Sequence, residues 1–155
     1  MKKINDTTET KGYITWTKYD TRTGAVTGGG ETCNTININY KSGVRDMLKT
    51  GASVGIIDKI EGGTTNTAFT ETSTVLGNRI ISADRTGTDI ILENGATDKK
   101  LKVTFGFGYS EIQFNTIEEL AMYAGSTIIA MSSGISETLT TQYEAIRVTW
   151  TLTIN

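Results

Sequence analysis

The chain has 155 residues, 37% hydrophobic and 21% charged, which is long enough for one compact domain with a single core. This composition argues against a disordered chain, a fibrous repeat and a two-domain enzyme. A net charge of -2 with scattered basic residues argues against a nucleic-acid platform, and no apolar run approaches the ~20 residues of a membrane span.

The residue types that are absent or abundant limit which folds and which catalytic groups are possible. There is no histidine, which excludes Ser-His-Asp and Cys-His catalytic units and histidine metal ligands. There is no proline, so the turns must rely on glycine, asparagine, aspartate and threonine. Twenty-nine threonines favour strands, because threonine is both β-branched and polar. We expect an all-β fold over residues 1–155, a mainly antiparallel β-sandwich or barrel with one or two short helices.

The chain begins with a polar segment, residues 1–11, which has almost no apolar content apart from Ile4. Its small apolar surface cannot offset the entropy of ordering the segment within its own domain. We therefore predict an N-terminal arm that contacts neighbouring copies, with Lys2, Lys3 and Ile4 among the contact residues. A frayed terminus is the simpler alternative. Because no apolar signal-peptide core follows Lys3, we also expect a protein made without a cleaved leader.

Two segments in the first third of the chain alternate between faces in the manner of strands. Residues 13–19 predict a threonine-rich strand around Trp16, whose indole we expect in the core. Residues 34–41 predict another strand. One of its faces carries Asn34, Ile36, Ile38 and Tyr40.

Two glycine clusters predict loop tips, because glycine adopts the backbone conformations that tight turns require. The first is Gly28, Gly29 and Gly30, and the second is Gly62 and Gly63. Neither cluster introduces a helix through a phosphate-binding motif, so no nucleotide site is indicated. We expect both loops to contribute to contacts between copies.

A first helix is predicted over residues 42–50, with Ser42 as its N-cap and Gly51 beyond its end. Its apolar positions have helical spacing and are Val44, Met47 and Leu48. A second helix is predicted over residues 116–125, where Thr116 and Glu119 match the capping-box pattern. Its apolar face consists of Ile117, Leu120, Ala121 and Ala124.

The second half of the chain contains the clearest strands. In residues 100–109 one face carries Leu101, Val103, Phe105, Phe107 and Tyr109. In residues 146–154 we expect burial of Ile146, Val148, Trp150, Leu152 and Ile154. The opposite, wetter face of that strand carries Arg147, Thr149, Thr151 and Thr153.

Residues 89–93 predict a further strand, joined to the strand at 100–109 through a turn at Asn94 and Gly95. Weaker patterns indicate strands within residues 54–60, 68–81 and 127–131.

A pair of carboxylates is the acid–base arrangement that a chain without histidine leaves open, since two such groups can hydrolyse glycosidic bonds. Glu111, Glu118 and Glu119 lie near the second predicted helix. Helix capping accounts for Glu119, and a strand end or a solvated first turn accounts for the other two. We predict that the protein is not an enzyme.

No cofactor or metal is predicted. Residues 84–89 contain oxygen ligands but lack the acidic spacing of an EF-hand loop, which favours a turn over a calcium site. The one cysteine, Cys33, excludes an internal disulfide, and we expect it to be buried as a small apolar side chain.

Residues 24–30, 37–40 and 148–152 give the chain a glycine- and threonine-rich β texture. In that texture it resembles virion structural proteins of tailed bacteriophages, namely tail-tube, neck and capsid-decoration proteins. The resemblance implies a sandwich or barrel that self-assembles into a symmetric homo-oligomer through loops, strand edges and arms. It also implies a virion assembled in the host cytoplasm, with other virion proteins as partners and no direct contact with nucleic acid or membrane.

A carbohydrate- or ligand-binding β-module is the alternative function from another class. Tyrosines that are exposed on the strands, together with faces rich in asparagine and threonine, would form its sugar-stacking platform.

Overall fold

The computed structural model describes residues 11–51, 55–95 and 100–153. It is an all-β, mainly antiparallel sandwich of two five-stranded sheets with two short helices. The strands are β1 (Lys11–Asp20), β2 (Val26–Cys33), β3 (Thr35–Ile36), β4 (Ile57–Gly63), β5 (Arg79–Thr86), β6 (Ile91–Asn94), β7 (Lys100–Gly108), β8 (Thr116–Ala124), β9 (Thr127–Thr138) and β10 (Glu144–Thr153). The helices are α1 (Ile38–Thr50) and α2 (Tyr109–Ile112).

The strands form two sheets, joined by the chain at their edges. Sheet A has the order β2-β1-β10-β7-β6, and sheet B has the order β3-β9-β8-β4-β5. The chain crosses from sheet A to sheet B between β2 and β3, beside β9, and between β7 and β8; it crosses back between β5 and β6 and between β9 and β10. The β2 and β6 crossings lie at opposite margins of sheet A. We call these two margins of the sandwich the β2/β9 seam and the β5/β6 seam.

The central strand of sheet A, β10, shows the alternation that the sequence predicts. Its buried side chains include Ile146, Val148, Trp150 and Leu152. Arg147 is exposed on the opposite face, and Ile154 lies outside the described residues. Thr151 is buried, although the sequence predicts it on the wetter face. The register explains this difference, because it places Thr151 between the longer side chains of Tyr13 on β1 and Lys102 on β7.

The strands beside β10 also follow the sequence. Trp16 on β1 is buried, and so are three residues of β7, which are Val103, Phe105 and Phe107. Tyr109 begins α2 instead of ending β7. The strand predicted over residues 89–93 begins at Ile91, since residues 87–89 form a short 3₁₀ turn, and it pairs with β7 as predicted.

The strand predicted over residues 34–41 is wrong beyond Ile36. Asn37 caps α1, and its side-chain oxygen accepts a hydrogen bond from Asn39 N at 2.8 Å. Asparagine competes with strand pairing because its side chain bonds to the nearby backbone. Ser42 therefore lies inside the helix and is not its N-cap, whereas Gly51 ends the helix as predicted, with a φ of 74°.

The helix predicted over residues 116–125 is wrong, because these residues form β8. β8 is a central strand of sheet B, and both of its faces are covered. Ile117, Leu120 and Met122 join the main core, while Ala121 and Tyr123 join a second apolar cluster on the outer face. A strand buried on both faces loses its apolar–polar alternation, so its sequence can match a helical pattern by coincidence.

Residues 64–78 form a loop over the outer face of sheet B, which we call the Ω-loop because its two ends meet. Thr64 N donates to Asn78 O at 2.9 Å, and Asn78 Nδ2 donates to Thr64 Oγ1 at 2.7 Å. Leu76 is its buried anchor in the second cluster, beside Ala121, Tyr123, Ile128 and Met131.

The three weaker strand predictions differ in accuracy. The strand at 127–131 is confirmed and continues to Thr138 as β9. The one at 54–60 is displaced, since β4 starts at Ile57 and ends at Gly63. The one at 68–81 is wrong up to residue 78, because the Ω-loop occupies it, and right from Arg79, where β5 begins.

Candidate functional site

The β2/β9 seam is closed by hydrogen bonds between side chains and backbone. Thr32 Oγ1 donates to Ser133 O at 3.0 Å, and Ser132 Oγ donates to Cys33 O at 2.7 Å. Further along, the indole N–H of Trp16 donates to Glu137 Oε1 at 3.1 Å. These bonds tie the edge of sheet A to β9, so the sandwich is sealed on this side.

The glycine run of β2 belongs to this closed seam, so the prediction that Gly28, Gly29 and Gly30 form a loop tip is wrong. Gly30 lies opposite Trp16 in the register, and a Cβ there would come within 2.6 Å of the indole Cζ2. Gly29 has a φ of 154°, and a Cβ there would lie 2.6 Å from Trp16 O. Gly29 and Gly30 therefore make room for Trp16. Their contribution to contacts between copies stays a prediction.

Gly62 and Gly63 are not a loop tip either, because both are buried in β4. A Cβ on Gly63 would meet the carboxylate of Glu119 and would lie 2.8 Å from Asn78 O. Glycine is needed here because the base of the Ω-loop crosses the strand closely. Because both glycines are buried, they offer little surface to a neighbouring copy.

Glu119 holds the Ω-loop to sheet B. Its side chain is fully buried, and its carboxylate accepts hydrogen bonds from Thr67 Oγ1 at 2.7 Å and from Asn78 N at 2.9 Å. A buried carboxylate is tolerated only when its oxygens are bonded in this way. The capping-box explanation of Glu119 is thus wrong, since this residue binds a loop that is distant in sequence.

A second buried carboxylate, Glu61, lies on the same face of sheet B. It accepts a hydrogen bond from the hydroxyl of Tyr123 at 2.7 Å. It also forms ion pairs with Lys59 Nζ at 3.0 Å and with Arg79 Nε at 3.3 Å. Burial, reinforced by the hydrogen bond to Glu61, raises the pKa of Tyr123 well above its usual range. The phenol therefore stays protonated and keeps donating its hydrogen bond to Glu61. The cluster links β4, β5 and β8 within the chain.

The acidic residues considered for a catalytic pair have separate structural contacts. Glu111 lies in α2, where its carboxylate accepts from Gly108 N and pairs with Arg85 Nη1 at 3.5 Å. Glu118 is half-buried on β8 beside Glu119. Glu119 itself is enclosed beneath the Ω-loop, where a substrate does not reach it.

The remaining candidates for chemistry are Cys33 and residues 84–89. Cys33 is exposed, contrary to the prediction of burial, because it ends the edge strand β2 opposite Tyr13. Residues 84–89 contain the end of β5 and the 3₁₀ turn, and Asp84 forms an ion pair with Arg79. Within the three described ranges, no group of three cysteine or acidic side chains converges to hold a metal ion.

The β5/β6 seam contrasts with the closed one. Across the described residues, no hydrogen bond joins β5 to β6. β6 is the edge strand of sheet A, and all four of its residues are exposed, including Ile91 at 54% and Leu92 at 40%. Ile81 on β5 is 77% exposed. An apolar strand edge of this kind is a template for pairing with another chain.

An apolar groove of about 190 Å³ lies between the two sheets beside β6. Leu92 of β6 forms part of its wall, and Ile56, which is 75% exposed, stands at its rim. The groove extends the apolar surface of β6 toward α1. Its other lining residues include Tyr40, Ile57, Leu101, Ile129 and Leu152.

The sequence predicts β6 but not its exposed edge. The available signal was the run Ile90, Ile91 and Leu92, which does not alternate. In the structure Ile90 is buried and the next two residues are exposed. Consecutive apolar residues in a short strand place apolar surface on both faces, which marks a contact surface when the strand lies at an edge.

The predicted contact residues Lys2, Lys3 and Ile4 lie outside the described residues, so the N-terminal arm stays a prediction. Among the helices described, none has the length and apolar character needed to cross a membrane. The chain matches no protein-family model, no curated protein and no solved structure.

Proposed function

We propose that this protein is a non-enzymatic structural protein that self-assembles into a symmetric homo-oligomer through the β5/β6 seam. The observation that carries this proposal is the edge strand β6, which is exposed along its whole length and begins with Ile91 and Leu92. Pairing with a second copy would satisfy the outward backbone groups and remove two apolar side chains from water.

The neighbouring edges supply the contrast that favours β6. β5 carries Arg79, Asp84 and Arg85, charges of the kind that protect natural edges from unwanted pairing. The edge of β2 is tied to β9 through Thr32 and Ser132. β6 carries a single charge, Glu93, and among the described residues no hydrogen bond ties it to sheet B.

We place this assembly in a bacteriophage virion, in the tail tube or the neck, with capsid decoration as the alternative location. The support for this part of the proposal is the texture of residues 24–30, 37–40 and 148–152. The sandwich is of the fold class that this resemblance implies. Other copies and other virion proteins are the partners that follow from it.

The decisive measurement is the mass of the full chain in solution, by light scattering coupled to size-exclusion chromatography. We expect a large homo-oligomer for the native chain. Ile91→Lys places a charge on the β6 edge and should shift the protein to monomers. The matched control is Val26→Lys on β2, because Val26 is 69% exposed on the edge strand of the closed seam. That variant should keep the native mass.

A monomeric native chain would contradict the proposal, and so would an oligomer that Ile91→Lys leaves intact while both variants keep the native melting transition. Electron microscopy of the assembled species then tests its location in the virion. Stacked tubes support the tail tube, single rings support the neck, and isolated small oligomers would count against both.

A further inference from the structure

The outer face of sheet A presents a cation, Arg147, that pairs with no carboxylate among the described residues. Arg147 on β10 is exposed, and its guanidinium carbon lies 5.6 Å from the centre of the Tyr19 ring on β1. Its direct neighbours in the register are Thr17 on β1 and Gly106 on β7. Because both neighbours are small, the Arg147 side chain stands as a ridge between two grooves.

The two grooves differ in charge. The first, of about 270 Å³, is lined by Thr17, Tyr19, Gly24, Val26 and Arg147, and therefore by one cation and no carboxylate. The second, of about 200 Å³, includes Asp89 in its wall as well as Arg147. An anion is favoured in the first groove and opposed by Asp89 in the second.

A second arginine–tyrosine pair, in which the guanidinium also forms an ion pair with a carboxylate, offers a comparison. Arg22 lies 3.9 Å from the centre of the Tyr143 ring, and it also forms an ion pair with Asp20 at 2.7 Å. The side-chain hydrogen bond from Arg22 lowers the pKa of Asp20 to about 2. Arg147, by contrast, forms no ion pair with any carboxylate in the described part of the chain, so its donors remain available.

We propose that the first groove is a binding site for a carboxylated sugar. The planar guanidinium of Arg147 matches a carboxylate with two parallel hydrogen bonds. Tyr19 and Val26 offer apolar surface to the face of a pyranose ring, and Thr17 offers a hydroxyl to its hydroxyl groups. This binding function goes beyond self-assembly and does not depend on it, since the groove lies on the sheet face and not at the β5/β6 seam.

The test is a titration of the full chain, followed by amide chemical shifts in NMR, with glucuronic acid as the probe and glucose as its neutral counterpart. We expect glucuronic acid to shift the amides of residues 17–26 and 147 and to bind at least about tenfold more tightly than glucose. Arg147→Gln should weaken glucuronic acid binding by about tenfold or more. The matched control, Arg22→Gln, removes an arginine stacked on a tyrosine outside the groove and should leave the affinity unchanged.

Circular dichroism establishes that each variant is folded. Val26→Asp is the second variant, because it places an anion in the same groove at a position that is 69% exposed, and it should also abolish binding of glucuronic acid. The proposal is overturned if glucuronic acid does not bind, if glucose binds equally well, or if folded Arg147→Gln or Val26→Asp retains the native affinity.

Discussion

The two seams of the sandwich solve the same structural problem in opposite ways. At each margin an edge strand of sheet A, β2 or β6, has one side that no strand of its own sheet pairs with. At the β2/β9 seam, side chains such as Thr32 and Trp16 bridge the gap. At the β5/β6 seam no hydrogen bond joins β5 to β6 among the described residues, and Ile91 and Leu92 are exposed. The side chains of β5 that do cross the margin, Ser82 and Arg85, contact Glu111 of α2 and leave β6 unpaired.

This difference separates stability from assembly. The closed seam buries Trp16 and satisfies polar groups within one chain, so changes there should unfold the protein. The open seam leaves apolar surface and an unpaired strand edge, so changes there should alter contacts between copies at little cost to the fold. Each of the following predictions tests this separation.

The largest effect is expected at the indole that anchors the closed seam. Trp16→Ala removes a side chain that is 9% exposed and leaves Glu137 without its hydrogen bond, so we expect a loss of about 3–5 kcal/mol in the free energy of unfolding. Leu92→Ala at the open seam, where the side chain is 40% exposed, should cost about 1 kcal/mol or less. Reversible denaturant unfolding measures both. Equal losses would show that the seams do not differ.

A smaller effect is expected in the glycine run that accommodates the same indole. A Cβ on Gly30 would lie 2.6 Å from Trp16 Cζ2, so Gly30→Ala should cost about 1–3 kcal/mol through overpacking. Gly28→Ala is the matched control two residues away. There the nearest atom is Glu137 Oε1, at 3.1 Å, and a small shift of this flexible side chain relieves the contact while keeping the hydrogen bond from Trp16. If the two variants lost equal stability, the glycines would serve the strand in general and not Trp16 in particular.

The parts of the fold that could be predicted are those buried on one face. β10 and β7 alternate because one side of sheet A faces the core and the other faces water. The period-2 signal fails in β8, whose two faces are both covered, because Ala121 and Tyr123 pack beneath the Ω-loop. The role of Glu119 could not be predicted either, because its hydrogen-bond partners in the Ω-loop are more than 40 residues away in the chain.

The candidate surface could be predicted only in part, because exposure depends on sheet order. The sequence indicates a strand near Ile91 but contains no sign that β6 is the outermost strand. The glycine run of β2 was likewise ambiguous. Glycine is common both in loop tips and in strands where an aromatic ring packs against the backbone. Only the register, which places Gly30 opposite Trp16, distinguishes these two roles.

The smallest effect concerns the response of the closed seam to acid. Glu144 begins β10 and forms an ion pair with Lys18 Nζ at 3.1 Å, and Lys18 Nζ also donates to Thr138 O of β9 at 2.8 Å. A hydrogen bond from the backbone N–H of Thr140, assisted by Lys18, lowers the pKa of Glu144 below its ordinary value of 4.5. The folded state therefore binds this proton less readily than the unfolded chain does.

The sign of the pH dependence follows from this shift. The stabilisation from Glu144 is fully present above the ordinary pKa and is lost as the pH falls through the lower pKa of the folded state. Glu144→Gln keeps an acceptor but cannot titrate, so its free energy of unfolding should fall less than that of the native chain between about pH 6 and about pH 3. Denaturant unfolding at both pH values, in low salt because the pair is partly exposed, measures the difference. If the free energy of unfolding depended on pH in the same way in both chains, the pair of Glu144 and Lys18 would not stabilise the closed seam. Trp16 would then be its main stabilising contact.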